Sequence, residues 1–403
     1  MKLTDFRSPA AGEIVRSQAG IDAFVPAPLP PRITYADSDL VLVLSRADAA
    51  LSELSGVGRQ LPNPHLLISP YLRREAVLSS RIEGTRASLS DVYLGEIEAG
   101  EAGEAPEADR QEVANYVAAL EHGLAWVREG RPLTLNLVTG LHARLMQNVR
   151  GEFSSPGRFR TVQNWIGPAR STAQNADFVP PPPELLMGCL TDWEQFLNAR
   201  GDMPDLVQCA VLHGQFETIH PFIDGNGRIG RLLIPLFLVE RQRLSQPLLY
   251  LSAYIEAHRP TYYDLLQRVR TDGDWIAWIR FFLEGVEVTA REALLQTTTL
   301  VDLRETFRAH LMGKAKAHAL IDYLFSNPYL SVRHAAQILD VTTPTARAAI
   351  AVLEESGFVT EVTGRSWRRI YLCEPIMNAI MGNPKADTQQ GDGSRQEVRT
   401  ATG

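Results

Sequence analysis

Apolar residues recur at intervals of three and four along most of the chain, the spacing that one face of an α-helix requires. Residues 151–183 instead contain Gly, Ser and Pro at short intervals, which favours a hairpin or loop. The body of the chain is therefore predicted to be mainly α-helical with one short β element. The predicted helices cover 37–54, 63–84, two segments within 107–150, 184–199, 206–219, 227–241, 257–270 and 275–311.

The two ends of the chain differ from this body. Residues 1–33 show little periodicity and finish in a proline-rich stretch, so we expect an extended arm that lies over the surface. Near the other end, polar and apolar residues alternate over 358–372 around a Gly turn, as in a hairpin. Three helices are predicted before it, and this order resembles a winged helix-turn-helix. These helices cover 315–325, 332–339 and 344–356.

These patterns divide the chain into five parts. An acidic run over 96–112 is expected to be a solvated linker that leads into the next helix. Residues 383–403 are rich in Asn, Gln, Gly, Thr and charged side chains, which predicts a disordered tail. The parts are an arm (1–33), an N-terminal helical region (34–106), a helical core (107–311), the winged helix (312–380) and the tail (381–403).

Composition narrows the class of protein. The 403 residues are 45% hydrophobic and 22% charged, as in a soluble globular protein. A formal charge of −7 argues against a protein whose whole surface coats nucleic acid. The three cysteines are far apart in sequence, and we find neither an apolar leader nor a run long enough to cross a bilayer. A cytoplasmic location without membrane contact is expected.

The segment His220-Pro-Phe-Ile-Asp-Gly-Asn-Gly-Arg-Ile-Gly-Arg231 carries the candidate chemistry. Gly225 and Gly227 allow a sharp turn directly before an apolar helix, and a glycine-rich loop at a helix start binds anions through its free N–H groups. Arg228 and Arg231 are three residues apart and share one face of the first turn. Two guanidinium groups beside such a loop suit the β- and γ-phosphates of a nucleotide.

The same segment contains a candidate base and a candidate metal ligand. His220 has an ordinary pKa of about 6.5, so its neutral imidazole is available to accept a proton from a hydroxyl group. Asp224 offers a hard oxygen ligand to Mg²⁺ bound to phosphate. Taken singly, a His before Pro is usually a loop residue and Asn-Gly is usually a turn. Their joint occurrence in this order predicts a phosphoryl-transfer site.

At every position this segment resembles the HPFx(D/E)GNGRxxR signature of the Fic domain family, whose members are mainly protein adenylyltransferases. The resemblance extends over roughly residues 25–372 and includes the later helices around 254–263 and 273–282. It implies a Fic-type helical core with a short β-hairpin flap and a winged helix as a common companion. It also implies transfer of AMP from ATP to a Ser, Thr or Tyr hydroxyl of a target protein, with Mg²⁺.

The resemblance also implies residue roles. His220 would be the general base, and Asp224 would hold Mg²⁺. Many relatives have Asn near position 258, where this chain has His258, so this histidine either contacts the nucleotide or caps a helix. The implied ATP-binding set is Glu83, His220, Gly225, Asn226, Gly227, Arg228, Gly230, Arg231 and His258.

A flap that binds the target is implied within residues 161–166. In the family this hairpin adds a strand to the target backbone. The candidate residues are Val162, Asn164, Trp165 and Ile166. From composition alone, an ordinary surface hairpin with a buried Trp165 is an equal alternative.

An inhibitory motif is implied upstream. Ser79, Glu83 and Gly84 fit the family pattern (S/T)xxxE(G/N). A glutamate at that helix end could form a bidentate pair with Arg231 and so occupy the group that should hold the γ-phosphate. Without the resemblance, Glu83 would be an ordinary solvated acid at a helix end.

The C-terminal unit leaves the partners open. Winged helices bind DNA in some proteins and dock proteins or dimerise in others. A homodimer and self-modification are further expectations. The alternatives to an AMP-transferring enzyme are a DNA-binding regulator that senses nucleotides and a Fic enzyme that transfers another nucleotide. The candidate DNA-contacting residues are Thr342, Thr343, Thr345, Arg347, Arg365, Trp367, Arg368 and Arg369.

Overall fold

The structure is a computed structural model that describes residues 1–35, 37–60, 64–97, 107–149, 155–168, 170–201 and 203–382. Two compact units are present, Met1–Leu295 and Gln296–Gly403. Helices dominate both units, so the predicted mainly α class is confirmed. No helix in the described ranges combines the length and the apolar character that crossing a membrane requires.

The helices up to residue 310 follow the predicted order. Their bounds are α1 (Ser38–Gln60), α2 (Pro64–Ile82), α3 (Leu89–Ile97), α4 (Glu107–Arg128), α5 (Leu135–Leu145), α6 (Pro183–Asn198), α7 (Asp205–Ile219), α8 (Asn226–Glu240), α9 (Ser252–Ala257), α10 (Arg259–Asp272) and α11 (Trp275–His310). Helix α3 was not predicted, and the predicted helix over 257–270 is α10, preceded by the separate α9. The first residue of the helix predicted over 63–84, Asn63, lies outside the described residues.

Helices α7 and α8 form the centre of the first unit. Every residue of α7 from Leu206 to Ile219 is buried, because both apolar and polar positions of this helix face neighbouring elements. Two large aromatic side chains fix its surroundings through their indole N–H groups. Trp193 donates to the Leu212 carbonyl at 3.0 Å, and Trp278 donates to the Ala210 carbonyl at 2.8 Å. The turn that follows α7 is therefore held on a rigid support.

The structure decides two predictions for the non-helical segments of the first unit. Residues 1–33 contain an antiparallel hairpin, β1 (Gly12–Arg16) and β2 (Asp22–Pro26), where an extended arm was expected. Its Phe24 packs with Ala11 and Phe178 in a small buried cluster, a contact that local periodicity cannot reveal. Residues 151–183 were predicted to form a hairpin or a loop. Their described part before α6 is a loop without a regular strand, with one isolated bridge between Ile166 and Phe178.

After the end of α11, the described part of the second unit contains four short helices before its hairpin and one after it. Its sheet has the order β3–β5–β4 with antiparallel pairs, and the strand β3 was not predicted. This arrangement is compatible with a winged helix. The single helix predicted over 315–325 is divided at Leu320. The elements are α12 (Ala315–Ala319), α13 (Ile321–Ser326), β3 (Tyr329–Ser331), α14 (Val332–Leu339), α15 (Thr343–Glu355), β4 (Thr360–Glu361), β5 (Ile370–Leu372) and α16 (Glu374–Met381).

A last helix, which was not predicted, follows the hairpin and lies within 312–380 except for its final residue, Met381. Helix α16 is amphipathic and buries Ile376, Met377 and Ile380. The polar tail sequence begins only after this helix. The rest of the predicted tail, from residue 383, lies outside the described residues.

Candidate active site

The turn between α7 and α8 contains the predicted phosphoryl-transfer segment. His220 ends α7 in the left-handed conformation, with φ 49° and ψ 60°. Gly225 begins α8 with φ 78°, a backbone geometry that glycine adopts without strain. Among the described residues no side chain caps the start of α8, so its first N–H groups can receive an anion.

Asn226 holds the loop together from inside. Its Oδ1 accepts a hydrogen bond from the Phe222 N–H at 2.8 Å, and its Nδ2 donates to the Phe222 carbonyl at 2.9 Å. The side chain is buried. Both the oxygen and the nitrogen of the Asn226 side-chain amide are already hydrogen-bonded within the loop. The predicted phosphate contact of Asn226 would therefore be made by its backbone N–H group.

His142 is a support of the loop that sequence reasoning missed. Its Nδ1 accepts from the Gly157 N–H at 2.9 Å, so Nε2 carries the proton and donates to the Asp224 carbonyl at 3.0 Å. The ring also stacks on Phe222 with centroids 3.8 Å apart. Burial lowers the pKa of His142 to about 4, which keeps the ring neutral and the hydrogen bonds in this direction at neutral pH. No local motif marks this histidine in α5.

His220 has the protonation state that a general base needs. Burial, with the neighbouring Arg270 and Arg160 charges, lowers its pKa to about 3. Its Nδ1 is buried, so Nε2 is the ring nitrogen that is available to a substrate. The imidazole is therefore neutral throughout the physiological range.

Arg231 is held by the helix that carries the predicted inhibitory motif. Its Nη2 lies 2.7 Å from Glu83 Oε1, and its Nε donates to Ser79 Oγ at 2.9 Å. Although burial raises the pKa of the Glu83 carboxyl, the charge and hydrogen bond of Arg231 lower it below its usual value. A Cβ at Gly227 would overlap Glu83 Oε1, so glycine is required there for this approach. One carboxylate oxygen of Glu83 contacts Arg231, where a bidentate pair was expected.

Arg228 is paired with an acid that the sequence analysis assigned to a solvated linker. Glu112 lies on α4, and its Oε2 accepts from Arg228 Nη1 at 3.1 Å and from Thr85 Oγ1 at 3.1 Å. Asp109, one turn earlier, is buried and accepts from the Arg86 N–H at 2.9 Å. The acidic run is thus helical and partly buried from residue 107, while 98–106 lie outside the described residues.

Comparison with known proteins identifies this arrangement. Residues 41–125 match the family described as Fic/DOC family N-terminal, and residues 132–238 match the Fic/DOC family itself. The chain contains a Fic domain. The matched region includes the loop, both arginines and the supporting helices α5 to α8. The sequence-based family expectation is therefore confirmed.

Curated relatives share this domain over part of their length. The protein adenylyltransferase Fic of Culex quinquefasciatus is 29% identical over 195 residues, which are 48% of this chain and 35% of that protein. The protein of the same name from Nematostella vectensis is 29% identical over 49% of this chain and 44% of its own length. A probable protein adenylyltransferase of Aquifex aeolicus (strain VF5) is 36% identical over 84 residues, or 21% and 26% of the two chains. The chain thus matches less than half the length of these relatives.

Solved structures confirm the fold. A Fic family protein from Desulfovibrio desulfuricans G20 superposes with a TM-score of 0.56 at 22% identity, covering 86% of this chain and 98% of that one. Fic-1 from C. elegans superposes with a TM-score of 0.50 at 20% identity, covering 63% and 73%. At these identities the likeness concerns the Fic fold and not the activity.

Asp224 is the candidate metal ligand of the Fic loop. Its side chain is 51% exposed, and Oδ1 accepts from the Gly225 N–H at 2.6 Å and lies 3.5 Å from Arg228 Nη2. The described residues contain no group of three or more His, Cys, Asp or Glu side chains that could hold a metal by themselves. A single accessible carboxylate fits Mg²⁺ that arrives bound to phosphates, because Mg²⁺ keeps most of its ligands from water and substrate.

Two other predicted ATP-binding residues lie away from the loop itself. Gly230 packs against α7, where a Cβ would lie 2.6 Å from Glu217 Oε1 and 3.3 Å from the His213 ring. This position supports close packing of α7 and α8. His258 lies between α9 and α10, is exposed, and its Nδ1 donates to the Tyr254 carbonyl at 2.9 Å. That geometry leaves Nε2 of His258 as an acceptor.

The predicted flap residues face in two directions. Val162 and Trp165 are 58% and 41% exposed, so the alternative with a buried Trp165 is wrong. The Trp165 indole N–H donates to the Ser171 carbonyl at 3.0 Å. Ile166 forms the isolated bridge with Phe178, and Asn164 turns toward the Fic loop. The segment therefore presents apolar side chains to solvent and polar side chains to the site.

Proposed function

We propose that this chain is a protein adenylyltransferase that transfers AMP from ATP to a Ser, Thr or Tyr hydroxyl of a target protein. One observation carries the proposal. A neutral His220 stands at the end of α7, beside an uncapped helix start whose first turn holds two buried arginines, Arg228 and Arg231. The names of the curated relatives support the same activity.

The chemistry follows from these groups. Nε2 of His220 accepts the proton of the target hydroxyl as its oxygen attacks the α-phosphorus of ATP. A new P–O bond forms, the bond from the α-phosphorus to the bridging oxygen breaks, and pyrophosphate leaves with that electron pair. The imidazolium then returns its proton to solvent. Free N–H groups at the start of α8 and the guanidinium groups stabilise the negative charge on the phosphates.

Asp224 would hold Mg²⁺ in this site. When bound, the ion neutralises phosphate charge and orients the triphosphate. Because Asp224 is exposed while Arg228 is buried beside it, we infer that the metal approaches with the nucleotide from the solvent side of the loop.

We also propose that Glu83 inhibits transfer in the resting protein. Its carboxylate occupies the Nη2 side of Arg231, the group expected to bind the γ-phosphate. The turn that carries Glu83 is tied to α4 through Thr85 and Glu112, which places the carboxylate at the loop without help from a partner. ATP would then bind with its phosphates displaced from the attacking hydroxyl.

Intact-mass spectrometry of the Glu83→Gly variant tests the proposed activity. The full-length protein is incubated with Mg²⁺ and, in separate samples, ATP, GTP or UTP. We expect a mass gain of one AMP with ATP, from self-modification. A mass gain of GMP or UMP would identify a different nucleotide as the donor. A mass gain of one phosphate would indicate a phosphotransferase instead of an adenylyltransferase. If no sample gains mass and an added pool of candidate target proteins also stays unlabelled, the activity is wrong.

We further propose that the second unit binds duplex DNA. Helix α15 exposes Thr342, Thr343 and Arg347 near its start, and the segment between β4 and β5 exposes Trp367 by 67%. The Arg368 guanidinium lies over the Trp367 ring, 4.6 Å from its centroid. A helix with a polar N-terminal turn could enter the major groove of DNA, and an arginine-rich loop beside it could contact the backbone phosphates. This observation favours DNA over a protein partner.

Replacing Arg365 and Arg369 together with alanine is expected to weaken binding of a mixed-sequence duplex to the full-length protein. Each lost phosphate contact should reduce the slope of log affinity against log salt by about one. Fluorescence anisotropy at a series of KCl concentrations measures both effects. Arg16→Ala, which removes an exposed arginine of the first unit, is the control and should bind as the parent does. If the parent does not bind DNA even at low salt, the unit does not act on DNA.

A further inference from the structure

One buried side chain bonds to the peptide carbonyls around the candidate base. Arg160 is 4% exposed, and its Nε donates to the His220 carbonyl at 2.9 Å. Its Nη2 donates to the carbonyls of Ile219 at 3.3 Å and Pro181 at 2.5 Å. Its own backbone N–H donates to the Pro221 carbonyl at 2.9 Å. A single residue thus contacts three consecutive carbonyls at the end of α7.

Asn164 completes this set from the same segment. Its Nδ2 donates to the His220 carbonyl at 3.1 Å and to the Phe222 carbonyl at 2.9 Å. The His220 carbonyl therefore receives two side-chain donors, one from Arg160 and one from Asn164. With the Phe222 carbonyl also bonded to Asn226, all four carbonyls from 219 to 222 are satisfied by side chains or backbone of residues outside α7.

We propose that Arg160 and Asn164 are positioning residues that hold the backbone of His220 in its left-handed conformation and thereby aim its imidazole at the target hydroxyl. This inference rests on the proposed transfer of AMP. Neither residue would touch the nucleotide, since both act through the His220 peptide group.

The energetics favour a directed role for these contacts. The left-handed region is unfavourable for a residue that has a Cβ, so His220 keeps this conformation only where its surroundings stabilise it. Burying a guanidinium also costs free energy unless its donors are satisfied. Burial lowers the pKa of Arg160 to about 10, so it stays charged at neutral pH and its donors stay available. Carbonyl oxygens around His220 supply the required acceptors.

The same segment also faces the predicted side of target binding. Val162 lies between Arg160 and Asn164 in sequence and is 58% exposed. A groove of about 840 Å³ beside it is lined by Arg160, Val162, Ile21 and Met187, among others. A target segment that pressed on Val162 would therefore act on the residues that hold the base. Docking of the target and placement of His220 are linked through this one strip of chain.

The test compares two buried arginines in the Glu83→Gly background. Arg160→Gln is expected to lower kcat about tenfold to a hundredfold, because small misplacement of a reacting group has that effect, and to leave the KM for ATP within about twofold. Arg160→Lys, which keeps the charge and one donor nitrogen in place of three, should recover part of kcat. Arg241→Gln is the control. The buried Arg241 side chain also donates hydrogen bonds to backbone carbonyls, those of Leu197 and Ala199. It lies at the C-terminal end of α8, away from the Fic loop.

A second measurement reports on the imidazole without any transfer. In protein labelled with ¹⁵N-histidine, the ring signals of His220 are assigned by their loss in His220→Ala. Arg160→Gln and Asn164→Asp should shift or split these signals, and Arg241→Gln should not. Circular dichroism at the assay temperature establishes that each variant is folded.

These readouts separate the inference from the activity it rests on. If Glu83→Gly transfers AMP and Arg160→Gln keeps its kcat with unchanged ring signals, the positioning role is overturned. Equal losses in Arg160→Gln and Arg241→Gln would show a general effect of stability and would overturn it too. If Glu83→Gly itself is inactive, the proposed function fails, while the ring signals still decide whether Arg160 and Asn164 position His220.

Discussion

Replacing His220 with alanine is expected to abolish AMP transfer while ATP still binds. A positioned general base contributes about 10²- to 10⁴-fold to the rate, so kcat should fall by at least about two orders of magnitude. The phosphates would meet other groups, namely the N–H groups at the start of α8 and the side chains of Arg228 and Arg231. Removal of the imidazole takes none of these away.

The measurement uses the Glu83→Gly background, in which transfer is expected to be fast enough to quantify. The rate of mass gain gives kcat, and isothermal titration calorimetry gives the dissociation constant for ATP. His122→Ala is the control, since His122 is a half-buried imidazole on α4 whose ring packs 6.5 Å from that of Trp126. It should leave both quantities unchanged. Transfer by His220→Ala at the parent rate would remove this residue from the mechanism.

The part of the site that the sequence predicted is local. The turn between α7 and α8 needs Gly225 for its backbone angle and Gly227 for the approach of Glu83, and both requirements are visible as residue types at fixed spacing. The helix bounds of α7 and α8 were predicted to within one residue, because their apolar spacing is unbroken up to the turn. The part of the site formed by residues that are adjacent in sequence could therefore be predicted from the sequence alone.

The parts that were missed depend on contacts between distant residues. Glu112 meets Arg228, 116 positions later in the chain, and nothing near Glu112 distinguishes it from a solvated acid. His142 reaches the Asp224 carbonyl across 82 positions. The hairpin of β1 and β2 was missed for a similar reason, since Phe24 is buried by Phe178 rather than by its own strand pair alone. The spacing of apolar residues indicates which side chains of one element share a buried face. It does not indicate which residue from a distant part of the chain they contact.

Arg160 shows how a residue can escape both kinds of reasoning. The sequence around Arg160 has no regular spacing of apolar residues that would place it on a buried face. Charged side chains are rarely fully buried, so burial of an arginine beside a surface flap is not expected. Only the placement of the His220 carbonyls beside it explains why a guanidinium is buried there. The predicted flap thus has a second face, and Asn164 belongs to that face although the family resemblance assigns it to the target side.

Replacing Glu83 with glycine is expected to raise AMP transfer about tenfold or more, which corresponds to about 1.4 kcal/mol or more in activation free energy. The substitution frees Nη2 of Arg231 from the carboxylate at 2.7 Å, and the guanidinium can then bind the γ-phosphate. The change should appear mainly in kcat, because the proposed inhibition misaligns the phosphates of bound ATP and does not exclude ATP. Mass gain with time, measured for the wild type and the variant at equal ATP, gives the ratio.

A matched control separates this effect from the loss of any surface ion pair. Glu96 pairs with Arg73 at 2.6 Å and is 38% exposed, close to the 36% of Glu83 beside Arg231. Glu96→Gly should transfer AMP at the wild-type rate. Without ATP, Glu83→Gly should also unfold at a lower temperature than the wild type, because the buried Arg231 then lacks its carboxylate partner. Added ATP should raise the unfolding temperature of the variant more than that of the wild type. If transfer is unchanged in Glu83→Gly while this thermal pattern holds, Glu83 stabilises the resting protein without inhibiting it.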